Sequence, residues 1–424
     1  MAVSLVERCR RHPNVKSMHP EFPRSEPLME ELKRRTSAEG KITFADFMQI
    51  VLYHPKHGYY TNRDREPWND YVTSPDVHPA FGKLVTVQLR EMYETLGSPK
   101  KFDILEVGAG RGTLAQEVLT ETEKFAPTFF DALNYTLSDV SPLARIEQSK
   151  RLERFAEWGK IKWIDDASDK FPVVDGCILT NELLDSFPVH RVVSTSQGLR
   201  EVSIELRNGR LEESLDQPST EALHEYFRYI GLSLRRGCVA EVNLEAVKWL
   251  KKAAAALRRG FILTADYGYE ARELFSPRRR AGSLVCYHNG QWCPYPFIRL
   301  GYQDITSHVD FTTLIRRGEE IGLELTGITT QRNFLINLGI VEFMQEIVKH
   351  EASDPRGCMA HISAINKLLD ERGLGKHRVL IQHKGTGKPQ LKGLRRVPRR
   401  QADFFQQALK ALEKKASERI SQSL

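Results

Sequence analysis

Apolar residues recur at two different spacings along this chain, and the change from one to the other organises it. Before about residue 100 the spacing is helical. Phe44, Phe47, Met48, Val51 and Leu52 lie three, four, seven and eight positions along, which stacks them on one helix face. His54-Pro55-Lys56-His57-Gly58 ends that pattern, because proline cannot continue a helix and glycine weakens it. Ser74-Pro75 predicts the start of a second helix, with Phe81, Leu84, Val85 and Leu89 on its buried face.

From residue 102 onward, short apolar runs alternate with helical stretches. Phe102 to Val107, Tyr135 to Asp139, Ile161 to Ile164, Gly176 to Thr180 and Phe261 to Tyr267 predict five strands. Leu325 to Thr329 and Arg378 to Gln382 predict two late ones. Strand four, rich in Cys, Ile and Leu, reads as covered on both faces. One helix is expected from Thr113. Another follows Ser141-Pro142, where a capping serine precedes proline at the first helical position. Strands alternating with helices predict an α/β fold with a Rossmann-like, parallel, doubly wound sheet.

Two regions interrupt the alternation. Residues 190 to 260 read as an insertion between strands four and five. Within it Val192-Val193 and Val202-Ser203-Ile204 alternate like a hairpin, Asn208-Gly209 signals a turn, and helices are expected at about 219–231 and 244–258. Residues 269 to 303, with Arg278-Arg279-Arg280, read as a long loop able to order over a bound acceptor. The chain thus divides into a helical N-terminal region (1–100), a core domain (101–384) carrying the insertion, and a C-terminal extension (385–424).

Composition narrows this picture. The chain has 424 residues, 41% of them hydrophobic, as in a globular protein. No apolar run approaches the roughly 18 to 20 residues that span a bilayer, so no membrane span is expected. Met1 to Met18 carries Arg8, Arg10, Arg11 and Lys16 without an apolar segment, which argues against a secretory signal. The six cysteines are scattered and form no CxxC pair, which removes support for zinc ribbons and redox motifs. They fit a reducing compartment: a bacterial cytoplasm, with a mitochondrial matrix as the alternative. The net charge of +7 lies wholly in residues 385–424, where ten Lys/Arg stand against three Asp/Glu. That basic extension, with a helix expected over 401–420, reads as a solvated surface or as a contact for nucleic acid or an acidic partner.

The richest stretch for chemistry is Ile104-Leu105-Glu106-Val107-Gly108-Ala109-Gly110-Arg111-Gly112-Thr113-Leu114. A strand runs into a turn with glycine at alternate positions, and glycine permits positive φ and close approach to a ligand. Counted from Gly108, a dinucleotide GxGxxG fails at Thr113; a GxGxxA register from Gly110 leaves Glu106 and Gly108 without a role. Glu106 before the turn suits a cationic, nucleoside-bearing cofactor better than a pyrophosphate, so S-adenosylmethionine is the expected cofactor. Asp139 ends strand two, where a carboxylate can accept from vicinal ribose hydroxyls. Asp165 and Asp166 follow strand three, either near an adenine amino group or as solvated loop acids. Asn181-Glu182-Leu183-Leu184-Asp185-Ser186-Phe187-Pro188 follows strand four, at the carboxyl edge where open α/β sheets bind ligands. No metal site is expected: His54 and His57 lack a third ligand, and Asp266-Tyr267-Gly268 reads as a tight turn. Gly385-Thr386-Gly387-Lys388 lacks the first glycine of a phosphate-binding loop.

In ordered blocks, residues 28–384 resemble the MidA-like methyltransferases, a family that includes the mitochondrial arginine methyltransferase assisting assembly of respiratory complex I. The blocks are Ile42 to Phe44, His54 to Tyr60, Tyr71 to Val77 leading to Phe81-Gly82, Glu106 to Leu114, Asp139 to Pro142, Asn181 to Pro188, Ala265 to Gly268 and Asp304 to Phe311. Gly-Ala-Gly-Arg-Gly stands where the family has Gly-Pro-Gly-Arg-Gly. Asn69-Asp70 replaces its Gly-Asp, and Leu183-Leu184 replaces its two aromatics. The resemblance implies a class I methyltransferase fold with a seven-stranded sheet, and S-adenosylmethionine held by Glu106, Gly108, Gly110, Gly112, Asp139, Asp165, Asp166 and Asn181. It also implies a protein substrate methylated on arginine. Carboxylates would then grip the guanidinium fork and localise a lone pair on the attacking nitrogen. Glu182 and Asp185 are the catalytic candidates, with His308 and Asp310 as a second pair on a lid segment. Two other readings remain open: methylation of another protein residue, RNA or a small molecule, and a non-enzymatic assembly factor that holds the cofactor.

Overall fold

The computed structural model describes residues 23–164, 170–350 and 354–396. Its centre is a sheet of seven strands: β1 (Phe102–Val107), β2 (Leu133–Ser138), β3 (Ile161–Ile164), β4 (Val174–Asn181), β5 (Leu257–Asp266), β6 (Glu324–Thr330) and β7 (Arg378–Lys384). Their spatial order is β6-β7-β5-β4-β1-β2-β3. Every strand expected from the apolar runs is present, most of them longer by one to four residues at an end. Asp139 falls just beyond β2 rather than within it.

Strands β1 to β5 run parallel, but β7 is antiparallel to both of its neighbours, β5 and β6. The sheet is therefore mixed, not all-parallel. Direction is a property of the pairing, and a strand's own apolar pattern does not carry it. Neighbouring residues of β1 feed opposite faces: Ile104 packs with Tyr135, Leu179 and Leu263, while Leu105 packs with Ile178, Ile262 and Leu380. After β1 the chain builds outward through β2 and β3; β4 and β5 lie on its other side. The order reverses between β1 and β4, and at such a switch point the loops at the carboxyl ends part to leave a crevice.

The helix expected to open at Ser74 is broken into Ser74–Val77 and Ala80–Thr95. His78 between them is extended (φ −163°, ψ 140°), because Pro79 disfavours helical geometry in the residue before it. Phe81, Leu84, Val85 and Leu89 do bury on the second piece.

Between β4 and β5 lies a second sheet of strands His190–Thr195, Gly198–Arg207, Arg210–Asp216 and Val239–Val242. Asn208-Gly209 is a turn, with φ of 50° and 74°, but it joins the second and third of these strands; Ser196-Gln197 turns the first hairpin. The helices are Ala222–Ile230 and Leu244–Ala256, and the latter runs directly into β5. The N-terminal segment joins this sheet, since Ile42 and Thr43 pair with Ile204 and Ser203. Phe44, Phe47 and Met48 bury in one cluster with Val189, Val202, Ile204 and Cys286. The helical N-terminal region and the inserted strands thus share a core.

Residues 269 to 303 are not one continuous loop. They hold a hairpin, Val285–His288 with Gln291–Cys293 around Asn289-Gly290, and Val285–His288 pairs with Asp304–Thr306. Asn-Gly between short alternating runs is the turn signal that marks it. No helix among the described residues is long and apolar enough to cross a membrane. The expected helix at 401–420 lies outside the described residues.

Candidate active site

The β1 turn is shaped by its glycines. Gly108, Gly110 and Gly112 have φ of 71°, 51° and 76°, a region costly for residues with a Cβ. At Gly110 a Cβ would meet nothing within 4 Å, so its backbone faces open space. The turn is held from outside: Gln148 Nε2 donates to Gly110 O (2.7 Å) and Arg151 Nε to Arg111 O (3.1 Å). Asp139 bridges two loops, accepting from Gly110 N at 2.7 Å and Ser141 N at 2.8 Å. Glu106 is buried under the turn, accepts from Tyr135 Oη at 2.7 Å, and is pushed up to about 8 by burial. A proton there is labile near neutral pH, and a nearby cation would draw it off.

A second group of acids gathers at the ends of β4 and β5. Glu182 takes a left-handed backbone (φ 50°), rare without glycine, and its N–H donates to Ala265 O at 2.8 Å. An observed outlier of this kind costs about 1–3 kcal/mol and clusters at functional sites. The Glu182 carboxylate accepts from Ser74 N at 3.2 Å and Asn181 Nδ2 at 3.4 Å. Desolvation, then the charge of Asp185, push it up to about 8. Asp266 is fully buried and accepts from Leu184 N and Tyr267 N, which fixes the loop that carries Asp185. Burial and the charges of Asp185 and Glu182 drive its carboxyl upward. Asp185 is pushed up to about 6 by burial, and its Oδ1 is buried with no hydrogen-bond partner.

A cavity of about 1050 Å³ joins the two groups. Glu106, Gly108, Gly110, Asp139, Asn181, Glu182, Asp185 and His308 line it. A smaller recess of about 310 Å³ continues past Asp139 to Trp163 and Ile164. Asp165 and Asp166, expected next to it, lie outside the described residues. Gly112 does not line the cavity; it caps the helix Thr113–Phe125 instead. Nor does Asp310. Its carboxylate caps Phe311–Glu320 through Thr312 N and Thr313 N and accepts from Tyr226 Oη at 2.7 Å, so it is engaged within the fold. His308 packs its ring 5.3 Å from those of Tyr267 and Tyr269, and burial lowers it to about 3. It is a neutral imidazole with an unpartnered Nδ1.

Several wall residues carried no functional expectation: Tyr60, Tyr71, Tyr267, Tyr287 and Asp304. The segment Tyr71–Val77 is locked to the glycine turn, because Asp76 accepts from Arg111 Nη2 (2.8 Å) and Thr113 Oγ1 (3.0 Å). Tyr60, Tyr71, Tyr267 and Asp304 lie in motif blocks noted above, which was the available signal.

The open backbone at Gly110, the carboxylate of Asp139 and the acid beneath them fit a cationic nucleoside ligand. Among the described residues no group of three or more His, Cys, Asp or Glu is disposed to hold a metal ion.

Residues 84–329 match the family model described as "Putative S-adenosyl-L-methionine-dependent methyltransferase". "Protein arginine methyltransferase NDUFAF7, mitochondrial" of Bos taurus is 26% identical over 372 residues, covering 82% of this chain and 81% of the relative. The Drosophila melanogaster homolog of that protein is 28% identical over 358 residues, covering 76% and 77%. A Burkholderia thailandensis crystal structure bound to S-adenosyl-homocysteine superposes with a TM-score of 0.77 at 27% identity, covering 88% of this chain and 95% of that one.

Proposed function

The chain belongs to this family of S-adenosyl-L-methionine-dependent methyltransferases, the MidA-like group with the class I fold, and from that premise we propose that its acceptor is an arginine side chain of a partner protein. The observation that carries the proposal is the uncompensated acid cluster. Glu182 and Asp185 line the cavity, Asp266 is buried against the loop that carries Asp185, and among the described residues none of the three forms an ion pair with Lys, Arg or His. Buried carboxylates without a cation are costly. A guanidinium offers them a planar donor fork that two carboxylates can grip. The names of the curated relatives, arginine methyltransferases, support the same acceptor.

When bound, S-adenosylmethionine supplies an electrophilic methyl group on its sulfonium. Asp139, Gly108, Gly110 and the recess toward Trp163 are the proposed cradle for its nucleoside, with Glu106 beneath. Glu182 and Asp185 hold the acceptor nitrogen and keep its lone pair directed along the line of attack. Alignment of this sort contributes up to roughly 7–11 kcal/mol of barrier lowering. His308, neutral and unable to repel a guanidinium, closes one wall. The proposed setting is a reducing compartment, cytoplasmic or mitochondrial, supported by the five described cysteines being buried and outside any disulfide.

The test is transfer of radioactive methyl groups from S-adenosylmethionine to a lysate of a strain lacking the protein. Acid hydrolysis should release the label as methylarginine. Label in RNA, in small molecules or on another amino acid overturns the proposed acceptor.

A further inference from the structure

Asp304 has no assigned role, yet it is a buried acid on the cavity wall. It begins the short strand Asp304–Thr306, opposite Tyr287 of the hairpin. Tyr60, from the turn after the helix Phe44–Tyr53, donates its hydroxyl to Asp304 Oδ1 at 2.5 Å. Tyr60, Tyr71, Tyr267 and Tyr287 all line the cavity beside it. The contrast with Asp70 is informative. Asp70 is equally buried but is neutralised, by the Arg65 guanidinium and by donation from Tyr59 Oη and Asn289 N. Asp304 has a phenol and, among the described residues, no ion pair with Lys, Arg or His.

We propose that Asp304 is a third acceptor-binding carboxylate, held in place by the Tyr60 hydroxyl and contacting the part of the guanidinium that Glu182 and Asp185 do not reach. A guanidinium carries five N–H donors, more than two carboxylates engaged at one edge can satisfy. The tyrosine rings supply flat, electron-rich faces that suit the same cation. The inference rests on the arginine reading above. Burial pushes Asp304 up to about 7; the Tyr60 bond opposes that rise, and the charges of Asp185 and Asp70 add to it. The other titratable groups that feel Asp304 are Tyr59, Tyr71, Tyr267, Tyr287 and Cys286. All of these are neutral at physiological pH, so a bound guanidinium is the cation that best ionises it. Tyr60 is a positioning residue in this scheme.

The experiment uses the full chain loaded with S-adenosylhomocysteine and titrated with methylguanidinium, followed by NMR, for wild type, Asp304→Asn and Tyr60→Phe. Product analysis of the wild type on a lysate runs beside it. Asp304→Asn should bind S-adenosylhomocysteine as wild type does but weaken methylguanidinium roughly tenfold or more, as expected for removing one partner of a charged hydrogen bond. Tyr60→Phe removes the bond that holds Asp304 ionised, so the acidic limb of the acceptor kcat/KM profile should move to higher pH. A purely structural tyrosine would leave that limb in place. Wild-type methylguanidinium affinity in Asp304→Asn overturns the role of Asp304 while leaving the arginine reading intact. An unshifted limb in Tyr60→Phe overturns the pairing even if Asp304→Asn is misfolded. Wild-type label on an amino acid other than arginine overturns both.

Discussion

The backbone amide of Ser74 donates to the carboxylate of Glu182 across 3.2 Å, joining a segment that precedes the sheet to the end of β4. Ser74 is itself fixed, its hydroxyl donating to Gln331 Oε1 at 2.9 Å. Glu182 is therefore aimed by groups outside its own loop.

Substituting Glu182 by Gln keeps the shape and the Ser74 contact but removes the charge. Methyl transfer should fall by roughly 100-fold or more, as for loss of a group that aligns the acceptor. Calorimetric affinity for S-adenosylhomocysteine should be unchanged. A variant with full turnover on the true acceptor would remove Glu182 from the reaction.

At Gly110 valine is expected to abolish cofactor binding while leaving a folded protein. Its Cβ meets no neighbour, but φ of 51° costs a branched residue about 1–2 kcal/mol and the added side chain stands at a residue that lines the cavity. Titration with S-adenosylmethionine, alongside circular dichroism, separates the two effects.

Asp139→Ala leaves the amides of Gly110 and Ser141 without their acceptor. The buried Ser141 amide, orphaned, costs about 1 kcal/mol or more, while the exposed Gly110 amide turns to water. A lowered melting temperature and a cofactor affinity reduced by roughly tenfold or more should appear together. Unchanged affinity would mean that Asp139 acts on the turn alone.

Activity and stability should respond to pH in opposite senses. The proposed acceptor site works ionised, and Asp185, Asp304 and Glu182 sit at about 6, 7 and 8, so acceptor kcat/KM should climb through that range. For Glu106 the folded value of about 8 exceeds the ordinary 4.5. Between those values the folded protein holds a proton that the unfolded chain gives up. The stability it contributes is complete below 4.5 and is lost as pH rises to about 8. Chemical denaturation of the unliganded protein at pH 5.5, 7 and 8.5 (three points chosen across roughly that interval) should show Glu106→Gln gaining on wild type as pH rises. A constant difference would mean that Glu106 is already ionised when folded.

The local frame of the site was readable from the chain. The apolar run Phe102–Val107, the spaced glycines and Ser141-Pro142 each specify geometry within a few residues, and the structure has all three where expected. What escaped is non-local. Tyr60 and Asp304 reach the cavity beside Glu182 only because the N-terminal segment and the 285–306 strands fold against the carboxyl end of the sheet. No spacing within one segment encodes that meeting. The break at His78-Pro79 was a different failure, a local signal outweighed in the reading by the helical pattern around it. The antiparallel β7 was hidden because its residues look alike in either direction.

The pairing of Ile42 and Thr43 with Ile204 and Ser203 bears on how the chain is made. The first helices leave the ribosome early, but the strand they dock on is delivered only after β1 through β4. Joining such distant segments carries a loop-closure cost before any contact rewards it. Strands β1 to β4 can thus form while the N-terminal segment waits, its apolar helix face uncovered. Limited proteolysis of nascent chains stopped before residue 190 and after residue 242 would reveal that order, with Phe44–Tyr53 protected only in the longer ones.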